Sequence, residues 1–417
     1  MTDSDKETSD IKFSHFGFSE GVMQGLESMG FETPTPIQSQ IIPHVLEGRD
    51  VVGCAQTGTG KTAAYLLPIL HRISQHHVDG INTIIISPTR ELAVQIAQQL
   101  EGFSYFLNIS SLPIYGGTDG IEWEQQRKAL INGVDVVVAT PGKLISFLNM
   151  DIVPVKNLQH LVLDEADKML DMGFVDDIMK IISYLPETKT TLFFSATMPP
   201  KIRDLTSRIL KNPVEVNIAV SKPAEGILQV AYLVYDNQKT RLLSLLIKNR
   251  DLPSILIFTS KKVKAKSIAK DLAKEGFQVA DIHSDLEQRE REKVLLGFRN
   301  RQIQMLVATD VLSRGIDIEN ISLVVNYDVP RDAEDYVHRV GRTARAEQTG
   351  IAITFINDLE QQAFSGIEKL IGYEIRKQIP PEELGPAPEY NPSLRKSNGK
   401  PRFRRKPGNA RGNNRPK

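Results

Sequence analysis

The run Ala55-Gln56-Thr57-Gly58-Thr59-Gly60-Lys61-Thr62 carries the groups that a polyphosphate requires. Glycines let a backbone curl until several N–H groups point at one anion. A helix starting at the end of the run adds the positive end of its dipole. Lys61 can then reach β- and γ-phosphates, and the Thr62 hydroxyl can ligate Mg²⁺. Ala55 stands where the general phosphate-loop pattern has its first glycine.

Such a loop needs a carboxylate for the metal. Asp164-Glu165-Ala166-Asp167 follows the apolar run Leu161-Val162-Leu163. At that place Asp164 would hold Mg²⁺ through water and Glu165 would polarise the attacking water. Paired acids at a strand end also suit a helix N-cap for the residues from Ala166 onward, and both readings can hold together. A third segment is His338-Arg339-Val340-Gly341-Arg342-Thr343-Ala344-Arg345. Its three arginines, three residues apart, fall on one face of a helix or turn. Guanidinium forks suit the charge that builds on a transferring phosphoryl group, and a solvated basic face is the alternative.

These groups need a scaffold that brings distant segments to one edge. Short branched runs keep ending in small polar clusters: Val51-Val52, Ile84-Ile85-Ile86, Val136-Val137-Val138, Leu161-Val162-Leu163 and Leu192-Phe193-Phe194. Runs of this kind predict strands buried on both faces. Helical stretches over 63–73, 90–103 and 166–184 separate them, so the pattern predicts a parallel sheet covered by helices. It restarts with candidate strands at 255–258, 279–282, 305–308, 323–326 and 351–355. The predicted fold class is α/β, with two tandem domains at 1–211 and 227–378 and a linker at 212–226. In open parallel sheets, ligands bind beyond the carboxyl ends of the strands, where the polar clusters lie.

Composition narrows the class. With 41% hydrophobic and 24% charged residues, disorder of the whole chain is excluded. The single cysteine, Cys54, excludes an internal disulfide framework or a cysteine-cluster metal site. An acidic, polar start and no apolar run of membrane length predict a cytoplasmic protein without a membrane partner. The net charge of zero conceals an asymmetry, because residues 391–417 hold ten Lys/Arg and no Asp/Glu. The segment 379–417 is therefore expected to be a disordered basic tail. It would meet a polyanion such as nucleic acid, or serve only as a solubilising arm.

Taken in order, the phosphate loop, Asp164-Glu165-Ala166-Asp167, Ser195-Ala196-Thr197 and the His338–Arg345 segment resemble the DEAD-box ATP-dependent RNA helicases. Gly30-Phe31-Glu32-Thr33-Pro34-Thr35-Pro36-Ile37-Gln38 is similar to that family's adenine-reading motif, with Phe13 upstream as its stacking aromatic. The resemblance runs from about Phe13 to Phe355 and implies two RecA-like domains around a cleft that binds ATP and Mg²⁺. It implies that Gln38 reads adenine, that Asp317 touches the ribose, and that residues 55–62 cradle the phosphates. Arg342 and Arg345 would approach the γ-phosphate, with His338 helping Glu165 to place water. Ser195 and Thr197 would bond the acidic motif, including Asp167, and couple hydrolysis to domain movement.

The resemblance also implies RNA contacts. In the first half these are Pro88, Thr89, Arg90, Gly116, Gly117, Thr140, Pro141, Gly142 and Lys143. In the second they are Thr259, Gln288, Arg291, Thr309, Arg314 and Gly315. Such groups grip phosphates and sugars without reading bases. Lys143 replaces the family's usual arginine and loses its bidentate fork. Ala344 and Glu347 stand where glycine is common. The expected function is RNA-stimulated ATP hydrolysis that unwinds short duplexes or remodels ribonucleoprotein, with ribosomal or RNA-decay proteins as further partners. A DNA helicase, a slow ATP-gated RNA clamp and an annealing chaperone are the competing readings.

Overall fold

The computed structural model describes residues 11–56, 58–117, 120–218, 226–248, 250–283, 285–309, 321–343 and 350–393, with the side chain of Gln288 also outside the description. The first sheet comprises β1 (Val51–Cys54), β2 (Thr83–Ile86), β3 (Ser111–Ile114), β4 (Val136–Ala139), β5 (His160–Leu163), β6 (Thr190–Ser195) and β7 (Val214–Asn217). Its order is β3-β4-β2-β5-β6-β1-β7. Every pairing in it is parallel. Central strands β2, β4, β5 and β6 are buried at every residue, the reason their sequences run apolar instead of alternating. Helices cover both faces, so the core divides into two apolar layers, one containing Tyr65 and Phe194 and the other Phe147 and Phe193.

The second sheet comprises β8 (Ile227–Leu233), β9 (Ile255–Thr259), β10 (Val279–Ile282), β11 (Met305–Thr309), β12 (Leu323–Asn326), β13 (Gly350–Ile356) and β14 (Arg376–Gln378). Its order, β10-β11-β9-β12-β13-β8-β14, repeats that of the first sheet strand for strand. All its pairings are parallel as well. Both sheets therefore place the loops after their strands along one edge, where a ligand can meet residues distant in sequence.

Three expectations need correction. The segment 212–226 is not all linker, because Val214–Asn217 is strand β7 and pairs with β1 from Val51↔Val214 to Cys54↔Asn217. Residues 379–393 do not belong to a tail: Asn391 N–H donates to Gln361 Oε1 at 2.6 Å, and Tyr390 OH donates to Glu368 Oε2 at 3.0 Å. Residues 394–417, the rest of the expected tail, lie outside the described residues. The helix expected over 166–184 is two helices, Ala166–Asp171 and Val175–Tyr184. Between them Gly173 takes φ +83°, a left-handed conformation that ends a helix at little cost for glycine.

Candidate active site

The phosphate loop joins β1 to the helix Lys61–Gln75. Gly58 and Gly60 take φ +84° and +91°, values glycine adopts without strain. A Cβ on Gly60 would come within 2.4 Å of Gln38 Nε2, so glycine is required there for space as well. At Gly58 a Cβ would meet nothing within 4 Å, leaving the outer side of the loop open. Gln38 is buried; it accepts from Thr35 N–H at 2.8 Å and donates to Gly60 O at 3.1 Å. Thr35 Oγ1 donates to Thr59 O at 2.8 Å. The segment resembling an adenine reader thus also fixes the phosphate loop. Phe13 is 2% exposed and packs within the first core layer, with its ring 6.3 Å from that of Phe16. Lys61 is buried at the helix start and donates to Ala55 O across the loop.

Asp164 and Glu165 leave the carboxyl end of β5. Asp164 Oδ2 accepts from Tyr65 OH at 3.0 Å, and Oδ1 accepts from Glu165 N–H at 2.9 Å. Burial and the neighbouring Glu165 charge push the Asp164 carboxyl up to about 6, against the pull of Lys61. Glu165 adopts φ 52°, ψ 48°, a left-handed conformation that costs a residue with a Cβ about 1–3 kcal/mol and collects at functional positions. Its side chain makes no helix cap and pairs with Lys168 instead. Burial would raise Glu165, but Lys168, Lys61 and Arg342 outweigh it and hold the carboxyl below its ordinary value. The third acid, Asp167, accepts at Oδ2 from Ala196 N–H and Thr197 Oγ1, both at 3.2 Å. Ser195 does not reach the acids; its hydroxyl donates to Thr197 O at 2.7 Å and supports the turn.

A cavity of about 560 Å³ lies between the two domains. Lys61, Glu165, Asp167 and Thr197 line it from the first domain, and His338 and Arg342 from the second. Arg339 does not line this cavity. It is 3% exposed and donates to Asn326 Oδ1 at 3.0 Å and Asp328 O at 3.1 Å. Arg339 and Arg342 therefore do not share the expected face, because the helix Ala333–Val340 ends before Arg342. The open loop, a buried ammonium and a cavity within the range for small ligands fit a nucleotide. Carboxylate and hydroxyl oxygens at Asp164 and Thr62 fit Mg²⁺, which takes hard oxygen ligands.

The expected RNA residues of the first domain follow β2, β3 and β4. Thr89 caps the helix Arg90–Ser104 through Leu92 N–H at 3.3 Å. Arg90 lies over the Tyr115 ring at 4.3 Å, and its guanidinium is 3.1 Å from Glu292 of the second domain. Gly116, Gly117 and Gly142 are exposed, Thr140 precedes the helix Pro141–Leu148, and Pro88 and Pro141 are buried beside them. Lys143 sits 5.2 Å from the Phe147 ring, and partial burial lowers its pKa. Arg291 meets Glu91 at 3.4 Å, and Thr309 ends β11 half-buried. Thr259 is fully buried with its hydroxyl on Asp328, so any side-chain contact with RNA requires that bond to open. Thr57, Arg314, Gly315, Asp317, Ala344, Arg345, Glu347 and the Gln288 side chain lie outside the described residues.

Tyr65 and Lys168 were missed from sequence. Each sits one helical turn from an expected site residue, Thr62 and Glu165 respectively, which is the available signal.

Two parallel sheets of identical strand order, with a phosphate loop on one and an arginine segment on the other, define a tandem RecA-like ATPase. The sequence matches the DEAD/DEAH box helicase family over residues 35–205 and the helicase conserved C-terminal domain over 237–347. The DEAD-box ATP-dependent RNA helicase CshA of Bacillus cereus is 40% identical over 358 residues, 86% of this chain and 67% of the relative. The ATP-dependent RNA helicase CshA of Limosilactobacillus reuteri is 40% identical over 372 residues, 89% of this chain and 74% of the relative. Among solved structures, S. cerevisiae Dbp5 bound to RNA and ADP BeF3 superposes with TM-score 0.79 at 29% identity, covering 89% of this chain and 96% of that one. A DEAD box protein from the hyperthermophile Methanococcus jannaschii gives 0.52 at 36% identity, over 88% and 99% of the two chains. The chain belongs to the DEAD-box ATP-dependent RNA helicase family.

Proposed function

We propose that the protein hydrolyses ATP in response to RNA and uses the cycle to open short RNA duplexes or remodel ribonucleoprotein. The observation that carries this reading is the shared cavity: Lys61 and Glu165 face it from one domain, His338 and Arg342 from the other. A site built from two bodies is complete only when they are held together, so a strand gripped by both domains promotes hydrolysis.

Lys61 exchanges the Ala55 carbonyl for the β- and γ-phosphates, while the loop amides cradle them. Gln38 selects adenine while steadying Gly60. Thr62 and Asp164 would hold Mg²⁺, which would supply positive charge to the phosphate oxygens. Glu165 orients the attacking water with His338, and Arg342, with Arg345, meets the charge developing on the γ-phosphate. Thr197 and Ala196, bonded to Asp167, carry a change at the acids to the end of β6. Arg90, Gly116, Gly117, Thr140 and Lys143 grip the backbone of one strand, with Arg291 and Thr309 opposite. Contacts to 2′-hydroxyls would separate RNA from DNA.

A cytoplasmic setting with ribosomal or RNA-decay partners extends the reading and draws support from the family alone. Among the described residues, no helix is long and apolar enough to cross a membrane.

The test is ATP hydrolysis by the full chain with RNA, matched DNA or neither, at two salt concentrations. Stimulation by RNA alone is expected. Equal stimulation by DNA would remove the RNA selectivity, and ATP-dependent RNA binding without turnover would replace the helicase with a clamp.

A further inference from the structure

A second buried charge cluster lies at the carboxyl ends of β8, β9, β12 and β13. Lys239, fully buried at the start of the helix Lys239–Ile247, sits 3.0 Å from Asp236 Oδ1, 3.0 Å from Glu360 Oε2 and 3.3 Å from Asp328 Oδ1. Lys264 adds a contact to Asp328 Oδ1 at 2.9 Å. The three carboxylates are close enough to hold a metal ion, but the Lys239 ammonium already supplies the cation between them. The cluster is therefore structural in kind, and its interest lies in what Asp328 does with its remaining atoms.

Asp328 Oδ2 accepts from Thr259 Oγ1, Ser260 N–H and Ser260 Oγ, each at 2.8 Å. Thr259 ends β9 and Ser260 begins the loop after it, in one of the segments expected to face RNA. The backbone carbonyl of Asp328 accepts from Arg339 at 3.1 Å. Arg339 lies between His338 and Arg342, both of which line the nucleotide cavity, and its own carbonyl accepts from Arg342 N–H at 3.2 Å. One residue thus bonds the RNA-side loop through its carboxylate and the nucleotide-side arginine segment through its carbonyl. Asp328 is 1% exposed, so displacing either neighbour leaves a buried polar atom unpaired, which couples the two movements.

We infer that Asp328 is a positioning residue that links occupancy of the RNA-side loop after β9 to the placement of Arg342 at the nucleotide. This rests on the function proposed above, since it needs RNA at one end and ATP at the other.

The test uses the full chain as wild type, Asp328→Asn, Ser260→Ala and the double variant. Hydrolysis is measured with and without poly(U) RNA, and binding of a fluorescent ADP analogue is measured without RNA. Asp328→Asn is expected to lose about tenfold of the RNA stimulation, within the usual range for coupling between sites, while ADP-analogue affinity holds. Ser260→Ala loses part of the stimulation, and the double variant falls no further than Asp328→Asn, because both remove one connection.

Full stimulation in Asp328→Asn, or additive losses in the double variant, would overturn the inference. If Asp328→Asn loses nucleotide binding and both rates in equal proportion, the fold is damaged and Ser260→Ala decides. A selective loss of stimulation there supports the link, and none overturns it. An unstimulated wild type would overturn the proposed function and this inference together, whereas a stimulated wild type matched by Asp328→Asn overturns this inference alone.

Discussion

Arg90 of the first domain and Glu292 of the second meet at 3.1 Å, and beside them Glu91 meets Arg291 at 3.4 Å, so each domain offers the other an arginine and an acid. Both arginines belong to segments expected to hold RNA phosphates. Part-exposed ion pairs contribute about 0–1 kcal/mol, so a phosphate can displace them. Glu292→Gln removes one competitor for Arg90 and is expected to lower the KM for RNA by about threefold, a shift of this order. The RNA-saturated kcat should stay near wild type. Titration of the ATPase with RNA checks this; an unchanged KM would mean that the pair does not compete with RNA.

Glu165 is held in a left-handed backbone conformation and aimed into the cavity that also holds Arg342. Glu165→Gln keeps the shape and removes the charge proposed to orient water. Its kcat should fall by about 10²-fold or more, the usual contribution of a positioned acid–base group. Affinity for an ADP analogue should persist. Single-turnover hydrolysis beside equilibrium binding separates the two effects.

Gln38 bonds both Thr35 N–H and Gly60 O. Gln38→Ala removes both bonds together with the amide expected to select adenine. Losing hydrogen bonds worth about 1 kcal/mol each should raise the KM for ATP by about tenfold and shrink the preference for ATP over GTP. Parallel ATP and GTP titrations give the ratio; a higher KM with full selectivity would assign Gln38 to the loop alone.

His160 lies in the core with Nδ1 3.0 Å from Asn82 Oδ1, and burial lowers its pKa to about 3 from an ordinary 6.5. Between those values the unfolded chain binds a proton that the folded chain refuses. Stability therefore rises with pH across this window and is lost as pH falls through 6.5 toward 3. His160→Asn places an amide nitrogen near the Nδ1 position without a titrating ring. Its Tm should be lower at pH 7.5 but should decline less on going to pH 5 than the wild-type Tm does. Thermal melts at the two pH values test the slope.

The segment 379–393 closes on the helix Gln361–Ile371 through Tyr390 and Asn391, with Lys377 4.5 Å from the Tyr390 ring. A chain ending after Gln378 should melt several degrees below one ending after Ser393, as expected when about 1–2 kcal/mol of packing and hydrogen bonding is lost. Equal melting points would show that the segment adds nothing to stability.

What the sequence made legible follows burial. Strands β2, β4, β5 and β9 are runs of branched or apolar residues because helices cover both their faces, and such runs stand out. The edges do not. β3 carries Pro113, which an edge strand tolerates and which argues against a strand in a linear reading. β7, Val-Glu-Val-Asn, is half-exposed and follows Pro213. β14, Arg-Lys-Gln, has no apolar side chain and exists because β8 offers it a backbone to pair with. The loop lysine, the acid pair and the arginine segment were visible because their chemistry is local. The supports of these groups were not: Tyr65 reaches Asp164 across 99 residues and Thr259 reaches Asp328 across 69, and no local spacing encodes such pairs.

Lys61 begins the helix after the first strand of its sheet, and Lys239 begins the helix that follows the first strand of the other, after a single 3-10 turn. Since the two strand orders coincide, the lysines occupy corresponding stations. One remains available to a diffusible anion, whereas the other is surrounded by the carboxylates of Asp236, Asp328 and Glu360. The second station is filled from within the chain. Its negative charge is covalently attached and cannot be exchanged. The helix start that carries Lys61 in the first domain is thus matched in the second by a permanent ionic rivet between Lys239 and the carboxylates around it.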